Sequence, residues 1–341
     1  MKILCFGELM GRFTPEGFGR IRSAGDYHLY FGGSEANVAA SLATFGADAA
    51  FCSKFPANDL GEAALRSLRA SGVDVSRVLR GGERLGLYFA ERGASQRPSK
   101  VIYDRKHSAI ATADPAEFDW ETLLDGFTHL HLTGITPALS PACARMCADA
   151  AGTAKKKGIS VSCDINFRST LWSAEEAGAT LSPLLPLFDL VVASEEHVRR
   201  LFGITTSPDY YDAAGDLCDA GYIDLAARFS AAFGIPAVSL TIRRTLSADD
   251  NIIAGMLSRG GEVAVSRSYR MHMVDRIGGG DSYTAGLLYA LSEHMSVRDA
   301  VEFATAASVL KHSVEGDVND ATPTEVRALM NASHGAGRVE R

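Results

Sequence analysis

The sequence predicts an α/β chain: a central, mostly parallel sheet covered by helices on both faces, with a small β lid beside it. Three observations predict this class. Short apolar runs alternate with longer stretches of helical periodicity along most of the 341 residues. Those runs are apolar on both faces, as strands enclosed between two helical layers must be. Two segments, around 11–32 and 81–105, break the rhythm with aromatics, arginines and turn residues, and read as antiparallel β-structure inserted into the core.

Taken in order, "KILCFG" is the first strand, followed by a helix over 35–46, the strand "AAFCSK" and a helix over 60–71. After the second lid segment come the strand "THLHLTG" and a helix over 141–157. The strands "ISVSCDI" and "DLVVAS" follow, then helices over 195–202 and 221–234 and the strand "PAVSLTI". Residues 1–333 form one domain, and 334–341 a frayed tail. Ligands of such sheets gather beyond the carboxyl ends of the strands.

With 34 Lys and Arg against 41 Asp and Glu, the formal net charge is −7. No basic face for nucleic acid is expected. No apolar run reaches the ~18 residues of a membrane span, and the apolar part of "MKILCFGELMG" is too short for a signal peptide. The six cysteines show neither a disulfide framework nor zinc spacing. A cytoplasmic location is expected. His129 and His131 lie two apart on one strand face without a third ligand, and "AKKKG" at 154–158 reads as a solvated helix end.

The chemistry concentrates in "DRIGGGDSYTAGLLYAL", residues 275–291. Gly278, Gly279 and Gly280 precede a helical pattern. A glycine turn at a helix N-terminus presents free N–H groups at the positive end of the helix dipole, a site suited to phosphate. Asp281 follows directly. A carboxylate there would repel the anion unless it had another task, and that task is to take a proton from a hydroxyl attacking the phosphate. A P-loop pattern and the motifs of protein kinases are both missing from the sequence.

"DRIGGGDSYTAG" resembles the C-terminal motif of the ribokinase-like (PfkB) sugar kinases. "GGSEANVAASLATFGADAAFCSKFPANDLG" at 32–61 is similar to their N-terminal motif, with Gly32, Gly33, Asn37, Ala39 and Gly46 matching. The motifs stand in the right order about 240 residues apart. The resemblance implies a ribokinase-like three-layer sandwich, ATP with Mg²⁺ as cofactors and room for a monovalent cation. It also implies a possible homo-oligomer through the lid. A finer resemblance to 2-keto-3-deoxygluconate kinases rests on "RLGLYFAERG", "RPSKVIYDRKHSAIA", "DINFRSTLW" and "LKHSVEGD". It implies phosphoryl transfer to the terminal C6 hydroxyl of a sugar acid. The alternatives are a kinase for a neutral sugar such as fructose or ribose, and a non-catalytic sugar-acid-binding protein.

Residue chemistry supports an acidic sugar. Tyr103 and Arg105 project from one strand face, and Arg168 follows a strand at its carboxyl end. Guanidinium groups pair bidentately with carboxylates. By resemblance the sugar pocket contains Gly33, Tyr88, Tyr103, Arg105, Arg168, Asp281 and Asp317, with Gly33 allowing close approach of backbone to sugar. Asn166, Arg168, Ser194, Thr241, Arg243, Gly278 and Gly280 face the nucleotide, and Gly278, Gly279 and Gly280 form the anion hole. The family's Asn-x-x-Glu stretch is altered here: "ASEEHVRRLFG" has Ser194 and His197 where Asn and Glu are expected. Glu195 and Glu196 are candidate substitutes, or the metal is held mostly through water. No side-chain metal-ligand set is legible.

Overall fold

A computed structural model describes residues 1–212 and 215–332; the expected tail over 334–341 lies outside the described residues. The chain begins with β1 (Lys2–Phe6), of which Ile3, Leu4, Cys5 and Phe6 are fully buried. Strands β2 (Met10–Pro15) and β3 (Tyr27–Gly32) leave the core, and β4 (Asp48–Phe55) and β5 (Asp74–Arg80) return to it. Next come β6 (Gly86–Glu91) and β7 (Lys100–Asp104), then β8 (His129–Thr133), β9 (Ser160–Asp164) and β10 (Leu190–Ser194). The chain's last strands are β11 (Ala237–Thr245), β12 (Asp250–Arg259), β13 (Glu262–Val265) and β14 (Tyr269–His272).

Ten strands make one sheet in the order β13-β12-β11-β10-β9-β8-β1-β4-β5, with β14 also on β12. The seven strands from β11 to β5 in that order run parallel. One core cluster holds Leu4, Phe6, Leu130, Val161, Val191 and Val238, while another holds Ile3, Cys5, Ala49, Phe51, Leu190 and Val192. Successive residues of one strand thus enter opposite layers, which is why these strands read as continuous apolar runs.

The helices follow their sequence signals closely. Ser34–Thr44, Asp59–Ala70, Pro141–Lys156, Glu195–Phe202 and Asp219–Phe233 match the expected segments within two residues at each end. Ser140 caps one of them and Ser194 another, each through its hydroxyl. Three strands at one end of the sheet depart from expectation: β12, β13 and β14 extend it in antiparallel fashion through a hairpin after β11. The edge strand β5 was also not expected, because "DVSRVLR" is only half-buried and carries three charges.

A second, four-stranded sheet, in the order β3-β2-β6-β7, forms the lid. Its strands are not all antiparallel, since β2 and β6 pair in parallel across about 75 residues of chain. A tight hairpin cannot join parallel strands, and the long connection between them carries β3, two helices, β4 and β5. Arg12 of β2 binds lid to core. It is almost wholly buried, and its guanidinium donates to Asp275 at 2.7 Å and Asp317 at 3.0 Å.

His129 and His131 are explained here. Both rings reach the Ser162 hydroxyl, at 2.7 and 2.9 Å, and burial pushes their pKa values down to about 4 and 3. They are neutral core residues, as the lack of a third ligand implied.

Replacing Arg12 with Leu should destabilise the fold by about 3–5 kcal/mol, because Asp275 and Asp317 stay buried without their cation. A denaturant midpoint unchanged from that of the unsubstituted protein would remove this pair from its role as the lid's anchor.

Candidate active site

The carboxyl ends of β1, β9, β10 and β11 open on one side of the sheet, and the lid faces them across a cleft of about 900 Å³. Parallel strands create such a cleft because their connecting loops diverge at a common edge. The helix Gly279–Ser292 starts at its floor.

The three glycines have three reasons. Gly278 has φ +82°, and a Cβ there would lie 1.9 Å from the Asp317 carbonyl oxygen. A Cβ on Gly279 would strike the His312 ring at 1.9 Å. A Cβ on Gly280 would meet no protein atom within 4 Å. The protein needs glycine at the first two positions for its own packing. At Gly280 the space opens on the cleft, beside the free amides of the first helical turn.

Asp281 is 8% exposed and held from the N-terminal half of the chain. Ser34 Oγ donates to one carboxylate oxygen at 2.6 Å, and Asn37 Nδ2 to the other at 2.7 Å. Asn166 Nδ2 in turn donates to Ser34 Oγ at 2.9 Å, and Asn166 reaches it from a left-handed backbone, φ +35°. Burial raises the Asp281 pKa above the usual carboxylate value, with the Ser34 and Asn37 bonds and Arg168 working against that rise. The result is an oriented carboxylate with spare lone pairs. It is a stronger proton acceptor than an exposed aspartate.

Two more buried acids stand nearby. Asp164, at the end of β9, is raised to about 7, first by burial and then by Asp281. Its Oδ1 accepts from the Asn166 amide at 3.0 Å. Glu35 is raised to about 7 by burial, while hydroxyls of Thr133 and Thr136, each at 2.6 Å, work against the rise. A Cβ on Gly7 would overlap the Glu35 carboxylate at 2.2 Å.

Arg168, Arg243 and Arg276 line the same cleft. Arg168 is exposed and makes no ion pair among the described residues. Arg243 bonds the His312 ring at 3.2 Å and makes no ion pair among the described residues. Three guanidinium groups without a carboxylate between them form an anion-binding wall. Arg276 was not singled out from sequence, although it sits two residues before Gly278 in the quoted motif. Thr241 also lines the cleft, and its hydroxyl donates to the Ala193 carbonyl at 3.3 Å.

Other expected residues are in the cleft but differently engaged. Arg105 is buried, and its Nε donates to Glu8 at 2.7 Å. Its charge is therefore answered inside the protein, leaving Nη1 as the free edge. The Tyr103 ring lies tilted against that of Tyr88, with centroids 5.8 Å apart, and the Tyr88 hydroxyl donates to Asp317. Asp317 is thus occupied by Arg12 and Tyr88 rather than free. Gly33 is required by the protein itself: a Cβ would lie 1.9 Å from the Glu8 carbonyl oxygen, so close approach to sugar is not what excludes a side chain. Ser194 caps its helix by accepting from the His197 amide at 3.2 Å. Glu195 accepts from Arg199 and Tyr211, Glu196 pairs with Arg200, and burial holds the His197 pKa down at about 4. Neither glutamate is a free substitute for the missing Asn-x-x-Glu pair.

Comparison with known proteins agrees with this geometry. Residues 1–226 and 234–325 match the family described as "pfkB family carbohydrate kinase". A 2-dehydro-3-deoxygalactonokinase of Haloferax volcanii is 31% identical over 329 residues, covering 96% of each chain. A 2-dehydro-3-deoxygluconokinase of Bacillus subtilis is 28% identical, over 94% of this chain and 91% of that one. The solved structure of a 2-dehydro-3-deoxygluconokinase from Thermotoga maritima superposes with a TM-score of 0.93 at 39% identity, covering 97% of this chain and 100% of that one. With its ribokinase-like fold, glycine turn and buried aspartate, this chain belongs to the pfkB family of carbohydrate kinases, phosphotransferases that act on a sugar hydroxyl.

Proposed function

We propose that this kinase transfers the γ-phosphoryl group of ATP to the terminal C6 hydroxyl of 2-keto-3-deoxygluconate or a close acidic relative. The observation that carries the reading is Asp281, oriented by Ser34 and Asn37 beside an open anion-binding turn. The sugar hydroxyl gives its proton to Asp281 as its oxygen attacks the γ-phosphorus. The amides around Gly278, Gly279 and Gly280 take up the charge on the transferring group. Arg168, Arg243 and Arg276 hold the nucleotide phosphates, with Asn166, Ser194 and Thr241 at their edge. A non-catalytic binding protein would have no use for a buried, oriented base.

The acidic sugar is supported by Arg168 and by the free edge of Arg105, with Tyr88, Tyr103, Gly33 and Asp317 shaping the pocket. The two named relatives act on epimeric keto-deoxy sugar acids, which share the carboxylate that these arginines would read. A neutral sugar such as fructose or ribose would leave Arg168 only the nucleotide phosphates to pair with. Mg²⁺ fits the donor set: Asp164 is a cleft carboxylate with one oxygen free of protein bonds. With phosphate oxygens and waters Asp164 would hold the ion, which would supply positive charge against the nucleotide phosphates.

Among the described residues no helix is long and apolar enough to cross a membrane, and all six cysteines are free. These facts support a cytoplasmic enzyme. Leu29 and Ile102 are exposed apolar side chains on one face of the lid, and they support a homo-oligomer formed through the lid. Sedimentation should then show a dimer that Ile102→Asp dissociates; a monomeric unsubstituted chain would rule the lid contact out.

Asp281→Asn should lower kcat by roughly 10² or more while sugar KM changes little, the scale of losing a general base. Near-normal turnover in the folded variant would remove Asp281 from that role.

Arg168→Ala should reduce kcat/KM for the acidic sugar by roughly 10- to 150-fold, the worth of one charge-assisted hydrogen bond of about 1.5–3 kcal/mol. Fructose should be affected far less. Arg105→Ala should do at least as much harm to the acid, because it also leaves Glu8 facing the pocket unpaired. Adding Glu8→Gln should recover part of that loss. Equal losses for acidic and neutral sugars would mean that neither arginine reads a carboxylate.

A further inference from the structure

Lys311 ends the helix Val297–Lys311 and is fully buried. Its Nζ donates a single long bond, 3.4 Å, to the Val314 carbonyl, and it makes no ion pair among the described residues. A buried ammonium so thinly held needs a reason, because removing it from water costs free energy. Its surroundings supply one. A Cβ on Gly278 would lie 3.1 Å from Lys311 Cε, so the lysine passes directly beneath the glycine turn. The segment that follows Lys311 is fastened to that turn: the Val274 amide donates to the His312 carbonyl at 2.8 Å, and the Gly316 amide to Asp275 at 3.2 Å.

Arg12 pairs with both Asp275 and Asp317, which leaves two buried carboxylates against one guanidinium. Lys311 is the second cation, and Asp275 and Asp317 both favour its charged form against burial, the largest influence on it. Without it, one uncompensated negative charge would remain under a turn that receives a polyanion.

We infer that Lys311 is a positioning residue, a built-in monovalent cation beneath the 278–280 turn that cancels carboxylate charge there and keeps the turn's amides effective toward the transferring phosphoryl group. The inference rests on the proposed role of that turn, but not on which sugar is used. It implies that this enzyme needs no free monovalent ion at this place. Replacing the ammonium by a thioether would free the Val314 carbonyl and leave the field of Asp275 and Asp317 unanswered, so a small monovalent cation such as potassium or ammonium could take the charge's place.

The test uses the unsubstituted enzyme and Lys311→Met, each with ATP and the best sugar acceptor. Tetramethylammonium is the only monovalent cation at first; potassium or ammonium is then added. The unsubstituted enzyme should change by less than about twofold. Lys311→Met should lose about 10- to 100-fold in kcat, the scale of weakening an anion hole, with smaller changes in KM. Potassium or ammonium should restore most of that loss. Unchanged kcat in the folded variant overturns the inference. So does a loss that no ion relieves, which marks a packing role. If Lys311→Met does not fold, the unsubstituted enzyme decides: ion-independence supports the inference, and strong activation by potassium overturns it. Asp281→Asn in the same assay separates this failure from failure of the phosphoryl site itself.

Discussion

Placing a carboxylate at the N-terminus of a helix, out of water and next to an anion site, is the constraint on which this molecule turns. Burial raises the Asp281 pKa and so works against its charge in that position. Ser34 and Asn37, about 245 residues earlier in the chain, hold both of its oxygens and keep the carboxylate oriented. Those residues can arrive only if the helix Ser34–Thr44 packs against Gly279–Ser292, and the two helices are extensively in contact. Ala36, Ala39, Ala40, Ala285 and Ala290 are all buried there, and small side chains let two helix axes approach closely. Function and fold therefore share one interface.

The same logic of buried charge recurs around the cleft. Arg12 pins the lid through Asp275 and Asp317, Glu8 holds Arg105, and Lys311 completes the balance beneath the glycine turn. Such pairs contribute little net stability compared with apolar packing, but losing one partner is costly. They fix where lid, turn and strand ends stand relative to each other. Meanwhile Arg168, Arg243 and Arg276 make no ion pair among the described residues. The protein answers the charges that set its geometry and leaves open those that face its ligands.

Much of this was legible in the sequence. Strands buried on both faces are continuous apolar runs, and helices announce themselves by period and cap, so the core sheet and five helices were readable. The glycine turn and Asp281 were readable because their spacing is local. Other features were hidden for physical reasons. An edge strand such as β5 is half wet and loses the apolar signal, and the β12–β14 extension is built from hairpins with polar tips. Parallel pairing of β2 with β6 depends on contacts distant in sequence. Arg12 has partners 263 and 305 residues away, and nothing local in "MGRFTP" marks it as buried. The Gly33 motif was visible but its cause was not, since the obstructing atom is the Glu8 carbonyl.

The most direct test of the account is the specificity of the unsubstituted enzyme: kcat/KM with ATP for 2-keto-3-deoxygluconate and its galactonate epimer, measured beside fructose and ribose. A cleft with an unpaired Arg168 and an oriented Arg105 predicts that an acidic sugar is preferred by at least about 10²-fold, the worth of two charge-assisted hydrogen bonds. Equal or greater kcat/KM for a neutral sugar would contradict the account and return Arg168 wholly to the nucleotide.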